Sequence, residues 1–268
     1  MSNFENYTTA TCLNPGLYRV RLDRDWWIIN GPNGGYLAGI LLRTAIDAQG
    51  DQQRSPRSFT VHYMRPPTEG FADVRVTLER TGRTFSTQTI KLEQHGKLCV
   101  IGILASSNSR NAIEFSHKSP PQPSLPLETK RAIVSDQDPP LRKHFERRPF
   151  FGKEPWENGE RALAGGWIRL SDSPDTIDAP LIATLSDCWP PAVFSWAKTR
   201  ESIGDVPTID LTIHFRRDPR KLKIDQNAFL LVRFETHTIS EGYLVENGEI
   251  WTENGTLIAE SRQLAVVG

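Results

Sequence analysis

Two stretches of this chain spell nearly the same strand. Thr60-Val61-His62-Tyr63-Met64-Arg65-Pro66 recurs as Thr212-Ile213-His214-Phe215-Arg216-Arg217-Asp218-Pro219, 152 positions later. A second match, His95-Gly96-Lys97-Leu98 against Asn254-Gly255-Thr256-Leu257, falls 159 positions apart, so loop residues were gained in between. An apolar helical stretch precedes each repeat, Leu37 to Ala48 in the first and Ala179 to Trp189 in the second. Alternating or apolar runs follow: Phe59 to Pro66, Val74 to Leu78, Phe85 to Leu92 and Leu98 to Ala105, then Thr208 to Pro219, Phe229 to Thr238, Tyr243 to Trp251 and Leu257 to Ala265. Ala162 to Leu170 is a further strand ahead of the second helix. Period-two runs joined by short turns read as antiparallel meanders. A helix that is apolar all round must be covered on every side. A curled sheet wrapped around it does this, and joining two such sheets edge to edge removes two exposed edges. The expected fold is therefore α+β, two helix-plus-antiparallel-sheet units in one chain.

The boundaries read as residues 1–106 for the first unit and 161–268 for the second, with 107–160 as a proline-rich linker. Eight prolines fall between Pro120 and Pro155, and no periodicity persists there. Phe145, Phe150, Phe151 and Trp156 imply that the linker packs on something. Its basic cluster, Arg142, Lys143, Arg147, Arg148 and Lys153, would suit phosphates or form a solvated face, and reads as the latter.

Lys plus Arg and Asp plus Glu number 32 each among 268 residues. Such a balance gives no field favouring nucleic acid or an anionic membrane. No apolar run approaches the ~20 residues that cross a bilayer, and Met1-Ser2-Asn3-Phe4-Glu5 has neither the basic flank nor the apolar segment of a leader. Cys12, Cys99 and Cys188 are scattered, giving neither a disulfide framework nor a metal site. A cytoplasmic protein without metal or cofactor is expected.

Asn30-Gly31-Pro32-Asn33-Gly34-Gly35-Tyr36 leads into the first helix. It is either a glycine-rich approach to a core helix or a helix start whose free N–H groups meet a ligand. Three polar residues of the second repeat stand out against the first. Asp187 lies inside an otherwise apolar helical stretch, where a carboxylate must be paired or shifted in pKa. On the last strand Leu257, Ala259, Ser261, Gln263 and Ala265 share one face, and Gln263 corresponds to Leu104. Thr208 corresponds to Pro56. Each has a plain alternative: Asp187 as a cap for a helix restarting at Trp189-Pro190-Pro191, Thr208 as an ordinary strand residue, Gln263 as a satisfied core amide. Cys188 reads as a buried filler, and His62 and His214 as structural or surface residues. No Gly-x-Ser-x-Gly elbow, metal-ligand spacing or phosphate-binding glycine loop occurs.

Duplicated helix-then-sheet order resembles the double hot-dog fold. The motifs Asn33-Gly34-Gly35-Tyr36, Pro207-Thr208-Ile209-Asp210 and Ser261-Arg262-Gln263 resemble, in order and spacing, the acyl-CoA thioesterase II family. That resemblance covers the chain outside the linker. It implies a hydrolase of fatty acid and lipid metabolism that cleaves acyl-CoA to free acid and CoA. It places the catalytic roles on Asp187, Thr208 and Gln263; the free N–H groups at the helix start then make Gly34, Gly35 and Tyr36 the candidates for holding the substrate at its thioester oxygen. It also implies a homo-oligomer, dimer or tetramer. Trp189-Pro190-Pro191 has no counterpart in the family motif and should kink the segment after Asp187. A hot-dog hydro-lyase and a non-catalytic acyl-thioester binding protein are the alternatives.

Overall fold

The computed structural model describes residues 3–268, so Met1 and Ser2 of the leader reading lie outside the described residues. A short helix α1 (Asn3–Thr8) and strands β1 (Thr11–Asn14) and β2 (Leu17–Leu22) open the chain. Helix α2 (Gly34–Gln49) follows, then β3 (Ser55–Tyr63), β4 (Gly70–Thr81), β5 (Phe85–Gln94) and β6 (Lys97–Ser107). The second unit has β7 (Phe145–Gly152), β8 (Ala162–Leu170), helices α3 (Ala179–Leu185) and α4 (Val193–Trp196), and strands β9 (Thr208–Phe215), β10 (Leu230–Ser240), β11 (Tyr243–Thr252) and β12 (Leu257–Val266).

All twelve strands form one antiparallel sheet in the order β1-β2-β4-β5-β6-β3-β9-β12-β11-β10-β8-β7. The order reads as a palindrome: each strand of the first unit has its partner at the mirror position in the second. The units join through β3 and β9, with Thr60 opposite Thr212 and their hydroxyls 3.1 Å apart. These two residues are repeat equivalents, so a local twofold axis passes between them. The strand β7 lies inside the stretch read as linker and is the counterpart of β1. Pro149 interrupts its alternation at a register shift between Pro149 and Phe151. An edge strand tolerates such a proline, since one side of its backbone needs no partner.

Helices α2 and α3 pack antiparallel against one another, with α2 lying on β3, β4, β5 and β6. Glycines set their spacing. A Cβ on Gly39 would stand 2.4 Å from the Thr184 hydroxyl, and one on Gly35 would stand 2.4 Å from the Thr184 carbonyl oxygen. At the far end Arg43 of α2 donates to Asp178 at 2.9 Å, and Asp178 caps α3 by accepting from the Leu181 N–H. Trp26 stacks on Tyr36 with ring centroids 5.0 Å apart, closing the core beside α2. His62 and His214 are exposed, as surface residues should be.

Candidate active site

The site forms where the N-terminus of α2 meets the C-terminus of α3. Asn33 caps α2, its Oδ1 accepting from the Tyr36 N–H at 2.9 Å. Its amide nitrogen reaches the other helix and donates to the Asp187 carbonyl at 2.7 Å and to Asp187 Oδ2 at 3.1 Å. The Gly35 N–H also donates to Asp187 Oδ2, at 3.0 Å. Asp187 is thus not inside a helix, as the apolar run suggested: α3 ends at Leu185, because the prolines at 190 and 191 cannot extend it. Nor does it cap the short helix that follows, which starts at Val193. It sits instead at the positive end of α2, where a carboxylate is favoured. Burial nevertheless pushes its carboxyl up to about 6, against the opposing pull of the Gly35 N–H, the Gln263 and Asn33 amides and the Arg142 charge.

The three residues singled out from the second repeat converge. Gln263 on β12 is buried at 7% exposure, and its Oε1 accepts from the Thr208 hydroxyl at 3.3 Å. Its Nε2 donates to Glu246 Oε1 at 2.8 Å, and the Ala192 N–H donates to the other Glu246 oxygen. Burial pushes Glu246 up to about 7, an effect the nearby Asp187 charge reinforces. Sequence reasoning missed Glu246. The signal was the alternation Leu244, Glu246, Gly248, Ile250, which puts it on the inner face of β11. In the first unit Gln88 pairs with Leu104 as Glu246 pairs with Gln263, and Gln88 donates to the Ala45 carbonyl. That half is closed by ordinary core contacts.

Asp187, Thr208, Gln263 and Glu246 line a cavity of about 1240 Å³. Its walls include Gly34, Tyr63, Trp156, Trp189, Pro190, Pro191 and Phe194. Tyr63 donates its hydroxyl hydrogen to the Gly34 carbonyl at 2.8 Å. Of the three expected substrate contacts only Gly34 borders this space. Gly35 packs on α3 and spends its N–H on Asp187. Tyr36 is fully buried and donates to the Tyr7 carbonyl. The kink at Trp189-Pro190-Pro191 does shape the cavity. Trp26 and Trp27 are core residues and Trp196 is exposed on the surface. Cys188 is buried, its thiol pushed up to about 12 chiefly by burial, which leaves no thiolate for attack. The basic cluster of the linker is divided: Lys143 and Lys153 are solvated as expected, whereas Arg142 and Arg147 are buried and border the cavity. Among the described residues no cluster of metal-ligating groups occurs, and no helix is long and apolar enough to cross a membrane.

Two family models match in tandem: the acyl-CoA thioesterase N-terminal domain over residues 23–106 and the acyl-CoA thioesterase C-terminal domain over residues 118–267. The chain belongs to the acyl-CoA thioesterase family. Solved structures agree on the fold. A hot-dog protein of unknown function from Alicyclobacillus acidocaldarius superposes with TM-score 0.89 at 21% identity, over 99% of this chain and 97% of its own. A putative thioesterase II from Thermobifida fusca gives 0.82 at 26% identity, over 100% and 98%. An acyl-CoA thioesterase II from Mycobacterium marinum gives 0.77 at 18% identity, over 99% and 98%. No curated protein sequence matches the chain. This thioesterase is accordingly a double hot-dog protein and a thioester hydrolase.

Proposed function

We propose that this thioesterase hydrolyses acyl-CoA by direct attack of water, with Asp187 as general base and Thr208 and Gln263 holding the water. The observation that carries the reading is Asp187 itself: a half-buried carboxylate on the wall of a large cavity, raised to about 6 and beside Gln263. Its Oδ2 is held by Asn33 and Gly35, and the Gln263 amide also acts on the carboxylate. Oδ1 takes the proton as the water oxygen bonds to the thioester carbon. The carbonyl oxygen gains charge, and the Gly34 N–H, which has no partner among the described residues, is the donor in reach. The Gly35 N–H is already committed, which narrows the oxyanion role expected of the whole glycine turn. Collapse of the tetrahedral species expels the CoA sulfur, and the proton held by Asp187 passes to it.

Incubation with a panel of acyl-CoAs and a thiol reagent tests this. Free thiol should appear, at a rate that rises about tenfold per pH unit below about pH 6 and levels off above it, because only ionised Asp187 accepts a proton. Thiol release with no acid limb would remove Asp187 as base; no release from any acyl-CoA would remove the reaction. Hydration of an enoyl-CoA without thiol release would instead support the hydro-lyase alternative, but His62 and His214 face solvent on the outer side of the sheet.

The reading extends to assembly and setting. Phe71 and Ile103, at 66% and 54% exposure, lie on the outer side of the sheet and favour association into a homo-oligomer. Sedimentation velocity at micromolar concentration should give a species larger than 30.3 kDa, and a monomer would refute it. The three unpaired cysteines suit a reducing cytoplasm, and the reaction suits fatty acid metabolism.

A further inference from the structure

Arg142 and Arg147 are the cavity feature that hydrolysis alone leaves unused. Both are at most 9% exposed and both border the cavity. Arg147 alternates with Phe145 on the inner face of β7, whereas Glu146 and Arg148 on the outer face pair with one another. Among the described residues neither Arg142 nor Arg147 forms an ion pair with a carboxylate. Arg142 donates once, to the Cys188 carbonyl at 2.7 Å. Arg147 lies over the Trp189 ring at 5.3 Å, and its Nε has no partner. Asp138, Glu154 and Asp187 act on the pair only at longer range. Burial lowers the pKa of both guanidinium groups, and each charge is costly where it stands.

Two like charges buried at the wall of one cavity are stabilised by a bound anion. We propose that Arg142 and Arg147 form an anion subsite that accepts a carboxylate carried by the acyl group, making the preferred substrate the monothioester of a dicarboxylic acid. This rests on the thioesterase reading. The phosphates of CoA are the other anions at hand, but they are bulky and strongly hydrated, and the pair is screened from solvent. The Arg142 bond to Cys188 places its guanidinium next to the residue that follows Asp187, so the second carboxylate lies a short chain away from the thioester. The subsite adds no covalent step: it orients the acyl group while water, Asp187 and the leaving sulfur react as before.

Matched substrates decide it, because each pair shares the same CoA: succinyl-CoA against butyryl-CoA, glutaryl-CoA against valeryl-CoA and adipoyl-CoA against hexanoyl-CoA. For at least one pair kcat/KM should favour the carboxylated member by about tenfold or more, as expected when a buried charge finds its partner. Arg147→Met should lower that ratio at least about tenfold. Preference for the uncarboxylated member of every pair overturns the proposal, and so does an unchanged ratio in the variant, the result if the arginines serve CoA phosphates or the fold. The wild-type comparison stands even if the variant does not fold. Calorimetry with glutarate separates this inference from hydrolysis: saturable binding that Arg147→Met abolishes supports the subsite whether or not thiol is released, and no binding to the wild type overturns it.

Discussion

Replacing Asp187 with Asn should leave a folded protein that binds acyl-CoA and turns it over at least about 10³-fold more slowly, within the range that general bases contribute. The amide is the same size. Its oxygen can take the position of Oδ2 and accept from the Asn33 amide and the Gly35 N–H, so the join between α2 and α3 is preserved. Its nitrogen then occupies the position of Oδ1, where it donates hydrogen and cannot accept a proton from water. Because the variant removes a charge that burial disfavours, its melting temperature should equal or exceed that of the wild type. Stopped-flow thiol release and a thermal melt, run on the same preparation, give both answers. Wild-type turnover in a folded Asp187→Asn would sink the assignment of the base.

The second large effect is expected from a single methyl group. In Gly35→Ala the added Cβ would lie 2.4 Å from the Thr184 carbonyl oxygen and 3.1 Å from Asp187 Cβ. That carbonyl accepts from the Asp187 N–H, so the backbone that must retreat is the backbone that holds the base. Overpacking of this kind costs about 1–3 kcal/mol. In a domain of this size that lowers the melting temperature by roughly 3–10 °C. A shift of the base by about 1 Å costs on the order of 10² in rate. Stability and kcat should therefore fall together. A variant with unchanged melting temperature and kcat would show that the helices are free to separate, contrary to the contact described.

Much of this was legible in the chain because duplication makes comparison possible within one sequence. The two central helices, the four strands that follow each of them and the strand ahead of the second helix follow from periodicity and the repeat; β7 does not, because a proline interrupts its run. Gln263 was visible because its counterpart is Leu104, and Thr208 because its counterpart is Pro56. The same comparison pointed to Asp187, though the residue itself lies past its helix, since periodicity does not register where a proline pair ends a helix. Other features were hidden for physical reasons. Glu246 is the repeat counterpart of Gln88, a change of one polar residue for another that leaves the pattern intact. The second duty of Asn33, as a donor to a residue 154 positions away, requires the helices to be packed first. Arg142 and Arg147 occur among prolines and other basic residues, where a buried charge and a solvated one look alike until β7 is known to carry an inner face.

The local twofold between Thr60 and Thr212 has a consequence for how many acyl groups one chain can process. The axis relates two crevices, each between the start of one helix and the end of the other. In one, Asn33 at the head of α2 meets Asp187. In the other, Asp178 at the head of α3 meets Arg43, and Leu104 and Gln88 fill the space with packed side chains. The protein is symmetric in its frame and single in its chemistry. Titration with a tight, non-hydrolysable thioether analogue would saturate at one equivalent per polypeptide, not two, and the silent half would act as a buttress for its twin.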